Sequence, residues 1–278
     1  MNNKVYCSTG TIIGSENDFD WNLIIENKNN IAADGFELMM LKVYYDQFRE
    51  MEKRFAAENM LFPVIHAGKN IGDLLSHADR ESTDEAIRLF ELNCEFGVNI
   101  GAEKIVLHLW GGVDSDKNIE HNINICETLL KISRKYNITL LIENIPCIVN
   151  DPLSYWNILE NRYPDLRFIA DTRFLGFHSQ TEEIFESRWF DKGKITHMHV
   201  SDFTGPPRNA STGHWALRPI LHPHEGIIDM DTLLTKASEK YNGSITLESP
   251  VINSDGSLDI EKLNNSINYI KKVSNNKL

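Results

Sequence analysis

Residues 138–171 read ITLLIENIPCIVNDPLSYWNILENRYPDLRFIAD. A short apolar run, Ile138–Glu143, is followed by a longer amphipathic stretch and then by a second run, Leu166–Asp171. Apolar runs of this length alternating with helical patterns mark βαβ units and a parallel sheet. Each run closes on a carboxylate. Period-two alternation puts Thr139, Leu141 and Glu143 on one strand face, and Arg167, Ile169 and Asp171 on one face of the other.

The pattern extends in both directions. Further runs are Lys4–Cys7, Gly35–Met40, Phe62–His66, Lys104–His108, Ile195–Val200 and Ser244–Glu248, which brings the strand candidates to eight. Between them, Tyr44, Phe48, Met51 and Phe55 follow i, i+4, i+7, i+11. Ile87, Phe90 and Cys94 follow i, i+3, i+7, with Ser82 or Thr83 as N-cap and Gly97 as the stop. Ile260, Leu263, Ile267 and Ile270 mark a last helix. Eight βα units in 278 residues predict an α/β fold, a (β/α)8 TIM barrel, as a single domain over 1–278. The rival is a doubly wound open sheet. It would put a GxGxxG turn after the first strand, and Cys7-Ser-Thr-Gly10-Thr has none.

Composition narrows the functional classes. Hydrophobic residues make up 41% and charged residues 24%, as in a globular chain. Lys+Arg is 28 against 40 Asp+Glu, a net charge of −12. That acidity argues against a nucleic-acid partner, which needs a basic surface. Cys7, Cys94, Cys126 and Cys147 have no CxxC spacing, so zinc-ribbon and thioredoxin-like readings fail. With no secretory leader pattern and no long apolar run, the expectation is a soluble cytoplasmic protein without a membrane partner.

Six of the runs carry a metal ligand or acid–base group at or beside their C-terminal ends: His66, His108, Glu143, Asp171, His199 and Glu248. A barrel gathers the C-terminal ends of its strands around one mouth. Three carboxylates meeting there without a cation would repel one another. A divalent ion resolves the repulsion. The oxygen-rich donor set suits Mn²⁺, Mg²⁺ or Co²⁺, with Zn²⁺ also admissible. Such an ion would polarise a carbonyl and stabilise an enediolate. His197, one layer deeper than His199, reads as core or as support for a ligand. Asp202 reads as a residue that orients a ligand or caps a loop.

These residues resemble the xylose-isomerase-like TIM-barrel superfamily of sugar isomerases and epimerases, inosose dehydratases and endonuclease-IV-type enzymes. The resemblance rests on GFEL of the second strand, HAG at His66, ELNCEFGVNIGAEKIVLHLWG, LLIENIP, FIADTRF, HMHVSD, PHEGIID and GSITLESP, in that order. It implies a metal quartet of Glu143, Asp171, His199 and Glu248. It also implies that Glu143 and Glu248 exchange the substrate proton from opposite faces. His66 and His108 match positions that line the substrate pocket and that bind extra zinc in the endonuclease branch. Two departures weaken the endonuclease reading. Phe174 stands where that branch has a histidine, and no D-x-H follows the seventh strand. A third departure, Pro223-His-Glu-Gly226 in place of the common PGEG, puts His224 forward as a substrate contact.

The interval from His199 to Glu248 is longer than the others, and its excess lies in 201–227. It reads as a lid or pocket wall, with Arg218 or Arg208 meeting a polar group of the substrate. Trp110 and Phe174 are candidates for stacking on a sugar, and Arg173 for a polar contact. The sequence thus points to a metal-dependent sugar or polyol isomerase/epimerase that abstracts a proton beside a carbonyl. Mn²⁺ is the first choice of metal and a small sugar the substrate, and the resemblance allows a homo-oligomer, as relatives are often dimers or tetramers. The alternatives are a metal-dependent dehydratase, which begins with the same abstraction, and an endonuclease-IV-like repair enzyme.

Overall fold

Strands buried on both faces read as unbroken apolar runs, and every run picked out above forms a strand. In the computed structural model, which describes residues 3–205 and 219–275, these are β1 Val5–Ser8, β2 Phe36–Met39, β3 Val64–His66, β4 Lys104–Leu107, β5 Thr139–Glu143, β6 Arg167–Asp171, β7 Ile195–Val200 and β8 Ser244–Leu247. Hydrogen-bonded neighbours follow chain order from β1 to β8 in a closed barrel. This is the (β/α)8 architecture, and it excludes the doubly wound sheet.

The α-helices are α1 Asn22–Asn27, α2 Phe48–Ala57, α3 Asn70–His77, α4 Arg80–Asn99, α5 Ile119–Lys135, α6 Pro152–Arg162, α7 Thr172–Phe177, α8 Glu183–Glu186, α9 Arg188–Asp191, α10 Met230–Lys240 and α11 Ile260–Asn275. Two compact units contain these elements: Gly35–Ile169, and Met1–Asp34 with Ala170–Leu278.

Within Gly35–Ile169 the strands pair in parallel, with Leu38 opposite Ile65, Ile65 opposite Ile105, and Ile105 opposite Leu140. Those side chains are all buried and form the core of the unit. Three expectations are corrected here. The N-cap of α4 is Asp79, whose carboxylate accepts the Ser82 N–H, so the cap lies upstream of Ser82 and Thr83. Nor does α4 stop at Gly97. It runs on to Asn99, and Gly101 follows at φ +90°. Gly97 is small for a packing reason: a Cβ there would come within 2.5 Å of Ile65 Cδ1. The expected helix over Tyr44–Phe55 is also shorter than its periodicity suggests. Tyr44 belongs to a 3-10 turn, Lys42–Gln47, and α2 buries only Met51 and Phe55.

In the other unit β8 pairs with β1 on one side and β7 on the other, with Val5 opposite Ile245 and His199 opposite Thr246. Helix α11 buries Leu263, Ile267 and Ile270 of the four expected positions, and Ile260 at its start is only part-buried. The four cysteines are buried, and none is in a disulfide among the described residues. Among the described residues no helix is long and apolar enough to cross a membrane.

Candidate metal centre and active site

Each unit carries a cluster of chemically active side chains at strand ends. In Ala170–Leu278 these are Asp171, His199 and Glu248. Asp171 closes β6, His199 lies one residue from the end of β7, and Glu248 follows β8 directly. All three are buried, and their ligand atoms lie within 4.8 Å of one another. His199 Nδ1 is 3.4 Å from Glu248 Oε1.

The surroundings fix these groups. Asp171 Oδ1 accepts the Phe174 N–H at 2.9 Å, the N-cap of α7, which orients the carboxylate. The Glu248 N–H donates to the Val200 carbonyl at 3.1 Å and carries the β7–β8 ladder one step past β8. Two buried carboxylates beside an imidazole need positive charge to stay ionised. The oxygen-rich donor set with one nitrogen fits a divalent ion such as Mn²⁺, Mg²⁺, Co²⁺ or Zn²⁺.

His197 sits deeper on β7. Its Nδ1 is 2.7 Å from Ser244 Oγ and its Nε2 is 3.0 Å from Thr246 Oγ1. The β8 hydroxyls thus engage both ring nitrogens. Asp202 caps a loop. Its carboxylate accepts the N–H groups of Phe203, Gly226 and Ile228 at 2.7, 2.9 and 3.0 Å.

In Gly35–Ile169 the cluster is His66, His108 and Glu143. His66 closes β3, His108 follows β4 and Glu143 closes β5. Glu143 Oε2 lies 2.8 Å from His108 Nε2 and 3.2 Å from His66 Nε2. Burial pushes the His108 pKa down to about 4, against the pull of the Glu143 charge, so the ring is neutral at neutral pH. His66 Nδ1 lies 2.8 Å from the Ala67 carbonyl and must donate to it. Its Nε2 therefore faces a carboxylate oxygen as a second acceptor unless a proton or a cation lies between them.

The other expected contacts fall in different settings. Trp110 is wholly buried. Its indole N–H donates to the Pro146 carbonyl at 3.2 Å, and its ring meets Tyr155 edge-on at 5.5 Å. Arg173 is buried, with its guanidinium 4.6 Å from the Phe174 ring centre. His224 is half-exposed at φ 72°. Its ring centre is 4.5 Å from that of Tyr269 on α11. Arg208 and Arg218, with most of the expected lid, lie outside the described residues.

Three polar anchors escaped the sequence reading. Asp116 is buried and accepts the N–H groups of Ile148, Val149 and Asn150 and the Tyr155 hydroxyl, which holds the loop after β5. Buried His222 places Nδ1 2.8 Å from Ser266 Oγ and Nε2 3.2 Å from the Pro250 carbonyl, just past Glu248. Thr172 Oγ1 bonds the backbone of Ser201.

With the architecture and these clusters in hand, the class of protein follows. The family model for the xylose isomerase-like TIM barrel matches residues 28–273, and the chain belongs to that family. No protein of curated function matches it in sequence. Among solved structures it is similar to a D-allulose 3-epimerase from Methylomonas sp. in complex with D-allulose, at 13% identity and TM-score 0.70, over 98% of this chain and 97% of that one. It is also similar to apo 3-keto-D-glucoside 4-epimerase from E. coli, at 14% identity and TM-score 0.64, over 98% and 100%. A third is the IolI protein with a bound zinc atom, at 16% identity and TM-score 0.67, over 98% and 96%. At such identities the likeness establishes the shared fold.

Proposed function

We propose that this chain is a divalent-metal-dependent isomerase or epimerase of a small sugar or polyol-derived keto compound, working as one barrel domain over 1–278. The Asp171, His199 and Glu248 cluster carries the reading: three buried donors from three strand ends within 4.8 Å. Glu143, which closes β5, is the fourth ligand of the proposal, as the family likeness implies. Support comes from the epimerases that share the fold and from the zinc atom held by another neighbour. Mn²⁺ is the proposed metal, a homo-oligomer the proposed assembly and the cytoplasm the proposed setting.

When bound, a divalent ion polarises the substrate carbonyl and offsets the negative charge that deprotonation leaves on its oxygen. The chain's own groups supply the proton chemistry. Glu143 or Glu248 takes the proton from the carbon beside the carbonyl, and the other carboxylate returns one from the opposite face. His108, neutral at neutral pH, fixes Glu143 Oε2 from 2.8 Å. His66, Trp110, Arg173, Arg218 and His224 are the further proposed substrate contacts. Arg173 is buried, and its guanidinium would serve a polar group of the substrate.

Proton NMR of a panel of ketoses in D₂O, with the Mn²⁺-loaded protein, tests the reaction. Loss of the proton signal beside the carbonyl, without loss of water, is expected. An enone absorbance would reassign the chain to dehydration. Exchange undiminished in Glu248→Gln would contradict the role given to that carboxylate.

A further inference from the structure

We propose that Thr172 is a positioning residue whose hydroxyl sets the spacing of Asp171 and His199 as metal ligands, an inference that rests on the metal reading above. Thr172 directly follows Asp171, and Ser201 lies two residues past His199. Both Thr172 and Ser201 are fully buried. The Thr172 hydroxyl donates to the Ser201 carbonyl at 2.6 Å and accepts the Ser201 N–H at 3.1 Å.

This reciprocal pair does what a backbone rung does between two strands. At Asp171 the chain leaves β6 and turns into α7. There one side-chain oxygen both donates and accepts, as the two groups of a backbone rung do. The tie joins the residue after one ligand to the segment just past the other. Asp171 is thereby held twice, by the α7 cap on Oδ1 and by the Thr172 tie. β-Branching narrows the Thr172 rotamers, which adds to the stiffness of the link.

Groups that orient metal ligands change affinity by about 10–100-fold when lost. The test is Mn²⁺ titration calorimetry on the metal-free full-length chain, with the metal-free Tm read alongside. Thr172→Val keeps the shape and removes the hydroxyl. It is expected to weaken Mn²⁺ binding by about tenfold or more. Thr172→Ser keeps the hydroxyl and should bind close to wild type. A purely structural role would lower the metal-free Tm of Thr172→Val and leave its Mn²⁺ affinity unchanged, and that result overturns the proposal. If Thr172→Val does not fold, Thr172→Ala carries the same comparison. Wild-type protein that binds no Mn²⁺, or that binds it equally well as Asp171→Ala, overturns the metal reading and this inference together. Binding lost in Asp171→Ala but intact in Thr172→Val overturns the Thr172 role alone.

Discussion

His199 Nδ1 stands 3.4 Å from Glu248 Oε1, and both side chains are buried at the ends of neighbouring strands. Under the proposed function this carboxylate is one of the two that move the substrate proton. Glu248→Gln keeps the shape and removes that charge. It is expected to lower kcat by about 10²–10⁴-fold while the thermal unfolding of the metal-free protein stays near wild type. Steady-state kinetics on the ketose identified by NMR, together with calorimetry of the metal-free chain, checks both halves.

Gly72 on α3 faces the chain that leaves β4. A Cβ there would come within 2.5 Å of the His108 carbonyl oxygen and 2.6 Å of the Trp110 carbonyl oxygen. Backbone atoms cannot swing aside as a side-chain tip can. Gly72→Ala should therefore destabilise the fold by about 1–3 kcal/mol, despite alanine's better helix propensity. Urea unfolding would read the loss. A more stable variant would show that α3 and the segment 108–110 separate freely.

Asp116 holds the loop after β5 through three backbone N–H groups and the Tyr155 hydroxyl. Removing the acceptor leaves those donors with no partner inside the protein. Asp116→Ala is expected to destabilise the fold by on the order of 3 kcal/mol. It should also speed proteolytic cleavage near exposed Ile148 and Val149. Unchanged cleavage kinetics would mean that the loop is held by other contacts.

His222 gives the fold a pH dependence. Burial lowers its pKa below 6.5, against the opposing hydrogen bond to the Pro250 carbonyl. As pH falls, the unfolded chain takes up this proton first. The contribution is therefore full above 6.5 and is lost as the pH drops below that value. His222→Gln does not titrate there and should show a flatter stability profile as the pH falls below 6.5. Chemical unfolding at a series of pH values measures it, and parallel wild-type and variant curves would contradict it.

The barrel was legible because parallel strands buried on both faces must be apolar throughout. Each run therefore announced itself, as KIVLH and ITLLIE do. The candidate ligands were legible for a related reason. A charged or imidazole side chain is rare at the end of such a run unless the site uses it. What stayed hidden depends on which loop folds back on which. Nothing local distinguishes Asp116 or His222 from a surface residue, because their partners at Ile148 and Ser266 lie 32 and 44 positions away. Gly97 looked like a helix stop because its real constraint, the approach to Ile65, crosses from a helix to a strand. Asp79 outcompeted Ser82 and Thr83 as the cap because its carboxylate accepts the Ser82 N–H at 2.8 Å. The contact of the His224 ring with Tyr269, 45 positions on, was likewise invisible in the motif.

Metal content measured on the purified protein tests the central claim most directly. Elemental analysis of wild type should find about one divalent ion per chain, as for a single four-donor site. In Glu143→Ala the ion should be lost. Stoichiometric metal persisting in that variant, or none binding to wild type on addition of Mn²⁺, would contradict the account.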